Sequence, residues 1–189
     1  MTLPAAPARR PVCMQGRGGR IVELIFADTT RYPRGLIYDL LQDAYSFDPR
    51  YAGCWQAQWR DADDFLFTNP VIAQKYSFIT VWRGEPIGFA VWDPRPLPDH
   101  AELGHNCIRT THKGQGYGKL QLQEALRRIC AAGARQIRVT TNEGLLPARR
   151  NYESNGFVLV GKRPNTDNPE IAGCYWDYVW SAGSGEGGR

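Results

Sequence analysis

One stretch, residues 106–129, constrains the fold of this chain more than any other. It reads NCIRTTHKGQGYGKLQLQEALRRI. In its second half apolar residues recur at i, i+3, i+4 and i+7, the period of an amphipathic helix: Leu122, Ala125, Leu126 and Ile129. A strand end precedes the glycine-rich segment 113–119, so the sequence predicts a strand, a glycine loop and a helix in succession.

The glycine loop predicts a site for an anion. Glycine allows positive φ and lets a ligand approach the backbone without meeting a Cβ. The helix that follows presents unpaired N–H groups and the positive end of its dipole, so a phosphate or pyrophosphate is the expected ligand. Lys113 and Lys119 add positive charge. A plain turn is the alternative, because short glycine runs often serve only as turns.

Two common phosphate-binding motifs do not fit this loop. A P-loop needs a glycine five residues before its Gly-Lys pair and a Ser or Thr after that pair, but Lys113 and Leu120 hold those places. The dinucleotide fingerprint needs a third glycine, where the two available registers place Lys119 or Gln121.

Two motifs resemble the GNAT superfamily of acyl-CoA-dependent N-acetyltransferases. The first is the pyrophosphate loop, Arg or Gln, two residues, Gly, one residue, Gly or Ala, and its places are filled by Lys113, Gly116 and Gly118. The second is Ala, three residues, Tyr, three residues, Gly-Phe, and is filled by Ala148, Tyr152, Gly156 and Phe157. The chain departs from the family pattern at the first position of this loop, where Lys113 replaces Arg or Gln.

Composition agrees with a single globular domain. The chain has 189 residues, 42% of them hydrophobic, and a net charge of +4 without a basic block. This charge suits a small polyanion such as CoA better than a nucleic acid. The five cysteines form no Cys-x-x-Cys pair and the three histidines show no ligand spacing, so we expect no disulfide framework, no metal and a reducing, cytoplasmic location. No apolar run approaches the ~20 residues that span a membrane.

The predicted elements follow the GNAT order. Strands are predicted at 21–26, 76–82, 87–92, 101–108, 137–141, 157–162 and 174–180, with helices at 34–45, 49–67, after the glycine loop, and from Pro147. The resemblance implies an α/β (α+β) fold with a mixed, mostly antiparallel twisted sheet of about seven strands and about four helices. We expect a flexible extension over 1–20, one domain over 21–180 and a flexible tail over 181–189.

Two clusters on the second predicted helix each allow two interpretations. The aromatic residues at i, i+4 and i+8 pack in the core or form a wall of the acceptor pocket: Tyr51, Trp55 and Trp59. The acidic residues form a solvated face or attract a cationic amine: Asp61, Asp63 and Asp64.

The resemblance also implies a set of cofactor-binding residues. The loop that would hold the pyrophosphate consists of Lys113, Gly114, Gln115, Gly116, Tyr117, Gly118 and Lys119. In the family two strands splay apart here, which leaves backbone groups at Ile108 and Thr110 for the pantetheine arm. Many members carry an Asn where this chain has Leu145, so Asn142 is the candidate for that role. Arg149 and Arg150 either reach the adenosine 3′-phosphate or are simply exposed.

Two residues are candidates for the chemistry. The resemblance places Tyr152 near the thioester sulfur, where a phenol can protonate the departing thiolate; the alternative is a packed tyrosine. Glu102 is the candidate base, six residues before Ile108 and therefore on its strand face if the period of two holds. Its alternative role is an ion pair with an arginine. His105, on the opposite face, is second choice, and His112 is expected at the surface.

The predicted activity is transfer of an acetyl group from acetyl-CoA, a cosubstrate, to a primary amine by direct attack in a ternary complex. The acceptor is a small molecule or a peptide, and neither nucleic acid nor membrane is an expected partner. A homodimer is left open. The alternative function is a non-catalytic acyl-CoA-binding regulatory domain on the same fold.

Overall fold

The computed structural model describes residues 12–15 and 21–182. In these ranges the strands are β1 (Val12–Gln15), β2 (Ile21–Ala27), β3 (Ser77–Trp82), β4 (Glu85–Asp93), β5 (His100–Ile108), β6 (Gln136–Asn142), β7 (Val158–Pro164) and β8 (Cys174–Ser181). The α-helices are α1 (Leu36–Ala44), α2 (Pro49–Thr68), α3 (Pro70–Tyr76), α4 (Tyr117–Ala131) and α5 (Leu146–Ser154).

The predicted fold class and element order are confirmed, with two additions. β1 pairs antiparallel with β2, so the predicted extension over 1–20 is wrong for Val12–Gln15. The rest of that extension and residues 183–189 of the predicted tail lie outside the described residues. The second addition is α3, which was not predicted because its seven residues are too few to display a helical period.

The sheet has the order β1-β2-β3-β4-β5-β6-β8-β7, and β5 and β6 form its one parallel pair within the described ranges. They pair only where His100, Ala101 and Glu102 face Gln136, Ile137 and Arg138. Beyond those three positions the strands diverge. The sheet therefore has an opening between β5 and β6, as the resemblance implied.

Helices cover both faces of the sheet. One core lies under α4 and α5 and includes Leu122, Ile129 and Ile137, each fully buried. The other lies under α1, α2 and α3 and includes Leu40, Leu41 and Trp59. The described helices include none long and apolar enough to cross a membrane.

A bulge in β5 changes which face its residues occupy. Ala90 pairs with Asn106 but Trp92 pairs with Leu103, so β5 has one extra residue at Gly104–His105. Leu103 therefore shares the core under α4 with Ile108, although the two residues are five positions apart and would lie on opposite faces of a regular strand. The prediction that Glu102 shares the face of Ile108 is wrong, because the period of two does not continue through a bulge.

The acidic cluster on α2 is partly the solvated face that was predicted, because Asp61 is exposed and Asp64 is half-exposed, but Asp63 fits neither interpretation. Asp63 is buried, and its carboxylate accepts hydrogen bonds from the N–H groups of Gly35 (2.7 Å) and Ile37 (3.0 Å), where α1 begins. Asp64 pairs with Arg34 at 2.6 Å on the surface. The helix N-terminus attracts a carboxylate because its N–H groups lack intrahelical partners, so Asp63 fixes α1 against α2.

Candidate functional site

A cavity of about 860 Å³ lies at the opening between β5 and β6. Its size is within the range of small-ligand sites. Residues from both faces of the sheet line it, among them Tyr45, Trp55, Trp59, Glu102, His105, Asn106, Asn142, Tyr152, Tyr175 and Asp177. The predicted core packing is confirmed for Tyr51 and Trp59, which are buried, while Trp55 and Trp59 line the cavity.

Tyr152 is buried and lines this cavity. It comes from α5, and its ring centroid lies 5.5 Å from that of Phe157 and 6.1 Å from that of Tyr178. Burial raises the pKa of its phenol to about 12, although a hydrogen bond with the Asn106 side chain acts in the opposite direction. The hydroxyl is therefore protonated at neutral pH and can serve as an acid.

Asn142, at the end of β6, presents a hydrogen-bond donor without a partner. Its side chain is 1% exposed and lines the cavity. Oδ1 accepts a hydrogen bond from the N–H of Gly144 at 2.8 Å. Its Nδ2 is buried and has no partner among the described residues. Buried amides without partners are rare, so this nitrogen is suited to a ligand in the cavity.

Two candidate bases line the cavity and differ in environment. The Glu102 side chain is 60% exposed, and its Oε1 lies 3.8 Å from Nε2 of His100. No arginine lies within ion-pair distance of it in the described part of the chain. His105 belongs to the β5 bulge, and burial lowers the pKa of its imidazole from 6.5. His105 is thus neutral at pH 7 and can accept a proton. It was the second choice because a regular strand would place it on the face opposite Ile108, and that reason does not hold at a bulge.

The glycine loop leads into α4 as predicted. Gly114 and Gly116 have φ of 75° and 91°, and a Cβ at either would meet no atom within 4 Å. The backbone before Tyr117 is therefore open to a ligand. The C=O group of Gly118 accepts a hydrogen bond from Nδ2 of Asn151 at 3.0 Å, which ties α4 to α5. Gln115 and Lys119, also predicted to bind the cofactor, are exposed beside this open backbone.

Two residues near the loop do not behave as predicted. The N–H of Thr110 donates to Oδ2 of Asp43 at 2.7 Å, so it is not free for a pantetheine arm. Nζ of Lys113 donates to the C=O group of Ala44 and lies 5.3 Å from the ring centroid of Phe47. Burial lowers the pKa of this lysine. Its charge therefore neutralises the carbonyl end of α1 instead of remaining mobile beside the glycines.

The backbone groups of Ile108 point away from the neighbouring strand β4. The N–H of Arg109 donates to the C=O group of Ile87 at 2.7 Å, on the β4 side. Along a strand in an antiparallel pair, backbone groups alternate between the two sides. The N–H and C=O groups of Ile108 therefore point to the side on which β6 has diverged.

The predicted contact of Arg149 with an adenosine phosphate does not suit its surroundings. Its guanidinium carbon lies 3.5 Å from the ring centroid of Trp176, and Nη1 donates to the C=O group of Glu143 at 3.1 Å. Arg150 is exposed. His112, expected at the surface, is buried against Trp82 and Tyr117.

Three residues of the site were not predicted. Tyr45 follows α1, stacks on Trp59 with a centroid distance of 5.3 Å and lines the cavity. No sequence pattern identifies it. Asn106, which is half-buried, accepts a hydrogen bond at Oδ1 from Nε2 of the fully buried Gln121 at 2.6 Å. Gln121 had a signal, because a residue four positions before Ala125 lies on the buried face of the helix.

Comparison with known proteins identifies the family. The model of the acetyltransferase (GNAT) family matches residues 36–157, more than half of the chain. The chain therefore belongs to the GNAT family of acetyltransferases. No curated protein matches the sequence significantly.

Solved structures with the same fold are distant in sequence. One, from Desulfovibrio desulfuricans and described as a GNAT acetyltransferase, has a TM-score of 0.68 at 17% identity, over 84% of this chain and 98% of its own. The PaiA N-acetyltransferase of Thermoplasma acidophilum, in complex with coenzyme A, has 0.66 at 15%, over 85% and 99%. A GNAT acetyltransferase of Elizabethkingia anophelis with acetyl-CoA bound has 0.62 at 14%, over 85% and 98%. At these identities the likeness concerns the fold.

Proposed function

We propose that this protein transfers the acetyl group of acetyl-CoA directly to a primary amine while both substrates are bound. The observation that carries the proposal is that one cavity contains both the protonated phenol of Tyr152 and the amide nitrogen of Asn142, which has no hydrogen-bond partner among the described residues. Family membership supports acetyl transfer, and two structures of the same fold contain acetyl-CoA or coenzyme A.

The cofactor would lie along the opening between β5 and β6. The backbone at Gly114 and Gly116 is suited to the pyrophosphate, because it is open and precedes a helix N-terminus. Ile108 offers backbone groups at the free edge of β5, and Asn142 offers Nδ2 to a carbonyl of the pantetheine arm. Since Thr110 already donates to Asp43, we leave it out of the proposed set.

Tyr152 would protonate the departing thiolate. An ordinary thiol has a pKa of about 8.5, well below that of this phenol, which makes the transfer unfavourable in water. Burial raises thiol pKa values too, as it raises that of Cys107 on β5 to about 12. A thiolate that forms in a similarly buried position would match Tyr152 in basicity, the condition under which general acid catalysis is efficient.

The amine must lose a proton before or during its attack, and Glu102 and His105 are the candidate acceptors. The variants Glu102→Gln and His105→Asn separate them. Replacement of the true base should lower kcat/KM most at pH values where the base is unprotonated and the acceptor amine is still protonated. For His105 the sign is fixed by its lowered pKa: the imidazole is neutral above that pKa, so its contribution is lost as pH falls through it. Equal loss at every pH would exclude the residue as a base.

The primary test combines calorimetry with initial-rate kinetics. Acetyl-CoA and desulfo-CoA should both bind with micromolar affinity, and a panel of amines should accelerate release of the CoA thiol. Double-reciprocal plots for the two substrates should intersect, as a ternary complex requires. Parallel lines would indicate a covalent acetyl-enzyme and overturn direct transfer. Tight binding without turnover by any amine would favour the non-catalytic alternative.

A further inference from the structure

The end of α1 is joined to the segment between β5 and α4 by three hydrogen bonds. Oδ2 of Asp43 accepts one from the N–H of Thr110 at 2.7 Å, and the C=O group of Asp43 accepts another from Oγ1 of Thr110 at 2.8 Å. The C=O group of Ala44 accepts the third from Nζ of Lys113. Two consecutive residues of α1 are therefore held by the connection that leads into the glycine loop.

These bonds satisfy groups that the helix itself leaves without partners. The last carbonyl groups of a helix have no intrahelical donors, and the negative end of its dipole lies there. A carboxylate is unfavourable at that end, and the last turn of α1 contains Asp43 but no basic residue. Lys113 supplies a positive charge from outside the helix, and the N–H of Thr110 supplies a donor for the carboxylate.

The residue after these two is Tyr45, which lines the cavity. Its ring stacks on that of Trp59 with 5.3 Å between the centroids, and its centroid lies 5.5 Å from that of Trp55. Lys113 contacts the chain on both sides of Tyr45, because Nζ also lies 5.3 Å from the ring centroid of Phe47. The position of Tyr45 in the cavity wall thus depends on a side chain from the glycine loop.

The opposite end of α1 is fixed separately. Asp63 of α2 accepts hydrogen bonds there from the N–H groups of Gly35 and Ile37. Loss of the Lys113 bond should therefore loosen the last turn of α1 and leave the first turn in place. The effect is confined to the part of the helix that adjoins the cavity.

Tyr45 lies on the face of the sheet opposite α4. It packs against the core under α1, α2 and α3, whereas the glycine loop leads into α4 on the other face. The candidate base Glu102 is on the same face as Tyr45, because its neighbour Leu103 belongs to the core under α4 and side chains alternate along a strand. The amine must lie near its base, so the wall at Tyr45 belongs to the amine site and not to the phosphates of the cofactor.

We propose that Lys113 and Asp43 are positioning residues, which hold Tyr45 in the wall of the amine site. Thr110 completes the link through its two bonds to Asp43. The effect on the amine rests on the proposed function, whereas the link between the loop and α1 does not. Lys113 therefore acts on the amine site, although the sequence motif assigns it to the cofactor loop.

Amide hydrogen exchange tests the link without any substrate. Lys113→Met keeps the length of the side chain and removes its donor and its charge. The N–H of Tyr45, which donates to the C=O group of Leu41 at 3.1 Å, should then exchange about five- to tenfold faster, because one hydrogen bond fewer holds the turn. Amides in the first turn of α1 should keep their rates. Unchanged exchange at Tyr45 would overturn the link.

Two variants of the same segment are matched controls. Lys113→Arg retains a charged donor and should keep the wild-type exchange rate at Tyr45. Lys119→Met removes the other lysine of the loop, whose side chain is exposed and forms no hydrogen bond to the described residues of α1, and it should also leave that rate unchanged. Equal acceleration in Lys119→Met and Lys113→Met would overturn the role of the bond to Ala44, because the charge of the loop would then be responsible.

Kinetics test the effect on the amine. The acceptor is 2-phenylethylamine, a primary amine whose ring suits the aromatic wall, or the fastest amine of the panel if the wild type does not acetylate it. Lys113→Met should raise the KM for the amine about tenfold and leave the Kd for acetyl-CoA unchanged. A larger effect on acetyl-CoA than on the amine would overturn the positioning role, since Lys113 would then bind the phosphates.

A double-variant cycle tests whether Lys113 acts through Tyr45. Tyr45→Leu removes the ring and should itself raise the KM for the amine. If Lys113 acts by holding this ring, Lys113→Met should add little to the effect of Tyr45→Leu. Effects of the two substitutions that multiply would contradict the route through Tyr45.

A milder variant covers the case in which Lys113→Met does not fold. Thr110→Val removes the bond from Oγ1 to Asp43 at nearly constant volume, and it should also accelerate exchange at Tyr45. Unchanged exchange in this variant would contradict the link. Because the exchange measurements involve no substrate, a wild-type protein that acetylates no amine would overturn the proposed function alone.

Discussion

The boundaries of β5 with β4 and with β6, here called the β4–β5 seam and the β5–β6 seam, differ in whether their buried polar groups have hydrogen-bond partners. At the β4–β5 seam the strands pair from Gly88 to Asp93, and the amide of Gln121 uses both its donor and its acceptor. At the β5–β6 seam only three residue pairs form, and Nδ2 of Asn142 has no partner among the described residues. A satisfied buried amide holds strands together, whereas an unsatisfied one at a cavity is a candidate ligand contact. The sheet is thus closed between β4 and β5 and open at the cavity between β5 and β6.

The largest expected effect concerns the open seam. Tyr152→Phe removes a proton donor from the cavity, and kcat should fall by ~10²–10⁴-fold with little change in the affinity for acetyl-CoA. Steady-state kinetics and calorimetry measure the two quantities. Tyr178→Phe is the matched control, because that buried hydroxyl bonds to Glu153 at 2.8 Å and should affect stability more than rate. An unchanged kcat in Tyr152→Phe would remove the acid role.

The closed seam should respond in stability instead. Gly88→Ala places a Cβ 2.8 Å from a backbone oxygen, and the crowding should lower the free energy of unfolding by about 1–3 kcal/mol. Urea denaturation measures the change. At Gly104, in the β5 bulge, the nearest atom to a new Cβ would be 3.4 Å away. Gly104→Ala should therefore change stability by less than about 0.5 kcal/mol. Similar values for the two variants would contradict the difference in packing.

Glu124 on α4 shows how hydrogen-bond partners stabilise a buried group that carries a charge. Glu124 pairs with Arg127 at 2.8 Å and Arg128 at 2.7 Å. Burial raises its pKa, but the hydrogen bonds from the arginines outweigh burial and lower it. Glu124→Gln should lower the unfolding free energy by about 2 kcal/mol at pH 7.

The pH dependence follows from that lowered pKa. The contribution of Glu124 is complete above the unfolded pKa of about 4.3, and is lost as pH falls through the lowered folded value. Urea denaturation at several pH values should therefore show the wild type and Glu124→Gln converging in acid. A constant difference down to low pH would contradict the ionic origin. The hydrogen bonds of the Gln121 amide, which carries no charge, should contribute to the unfolding free energy equally at every pH.

The smallest effect concerns the unpartnered nitrogen of Asn142. Asn142→Asp keeps the acceptor for the Gly144 N–H and removes the donor, so the Kd for acetyl-CoA should rise about tenfold. Titration calorimetry measures it. Unchanged affinity would mean that this nitrogen does not contact the cofactor. The difference between the two seams would then have no bearing on cofactor binding.

Local sequence patterns were enough for the fold and for part of the site. The glycine loop, the Ala148–Tyr152 motif and the strand order are short-range features, and the structure contains them where they were predicted. The partners of Gln121 could not be predicted, because Thr80 lies 41 residues away and reaches it only through packing. Asp43 reaches Thr110 in the same way, across 67 residues. The face of the sheet on which Glu102 lies was predicted wrongly, because one extra residue in β5 interrupts the alternation of side chains between the two faces.

The β5 bulge also affects how this strand can be compared with others. A regular strand of a homologous protein, aligned residue for residue from Ile108 backwards, would match Glu102 to a position on the other side of the sheet. The correct alignment opens a one-residue gap at Gly104–His105. A catalytic carboxylate transferred from a regular strand therefore corresponds to a neighbouring position here, and sequence comparison without that gap exchanges the two faces of the sheet.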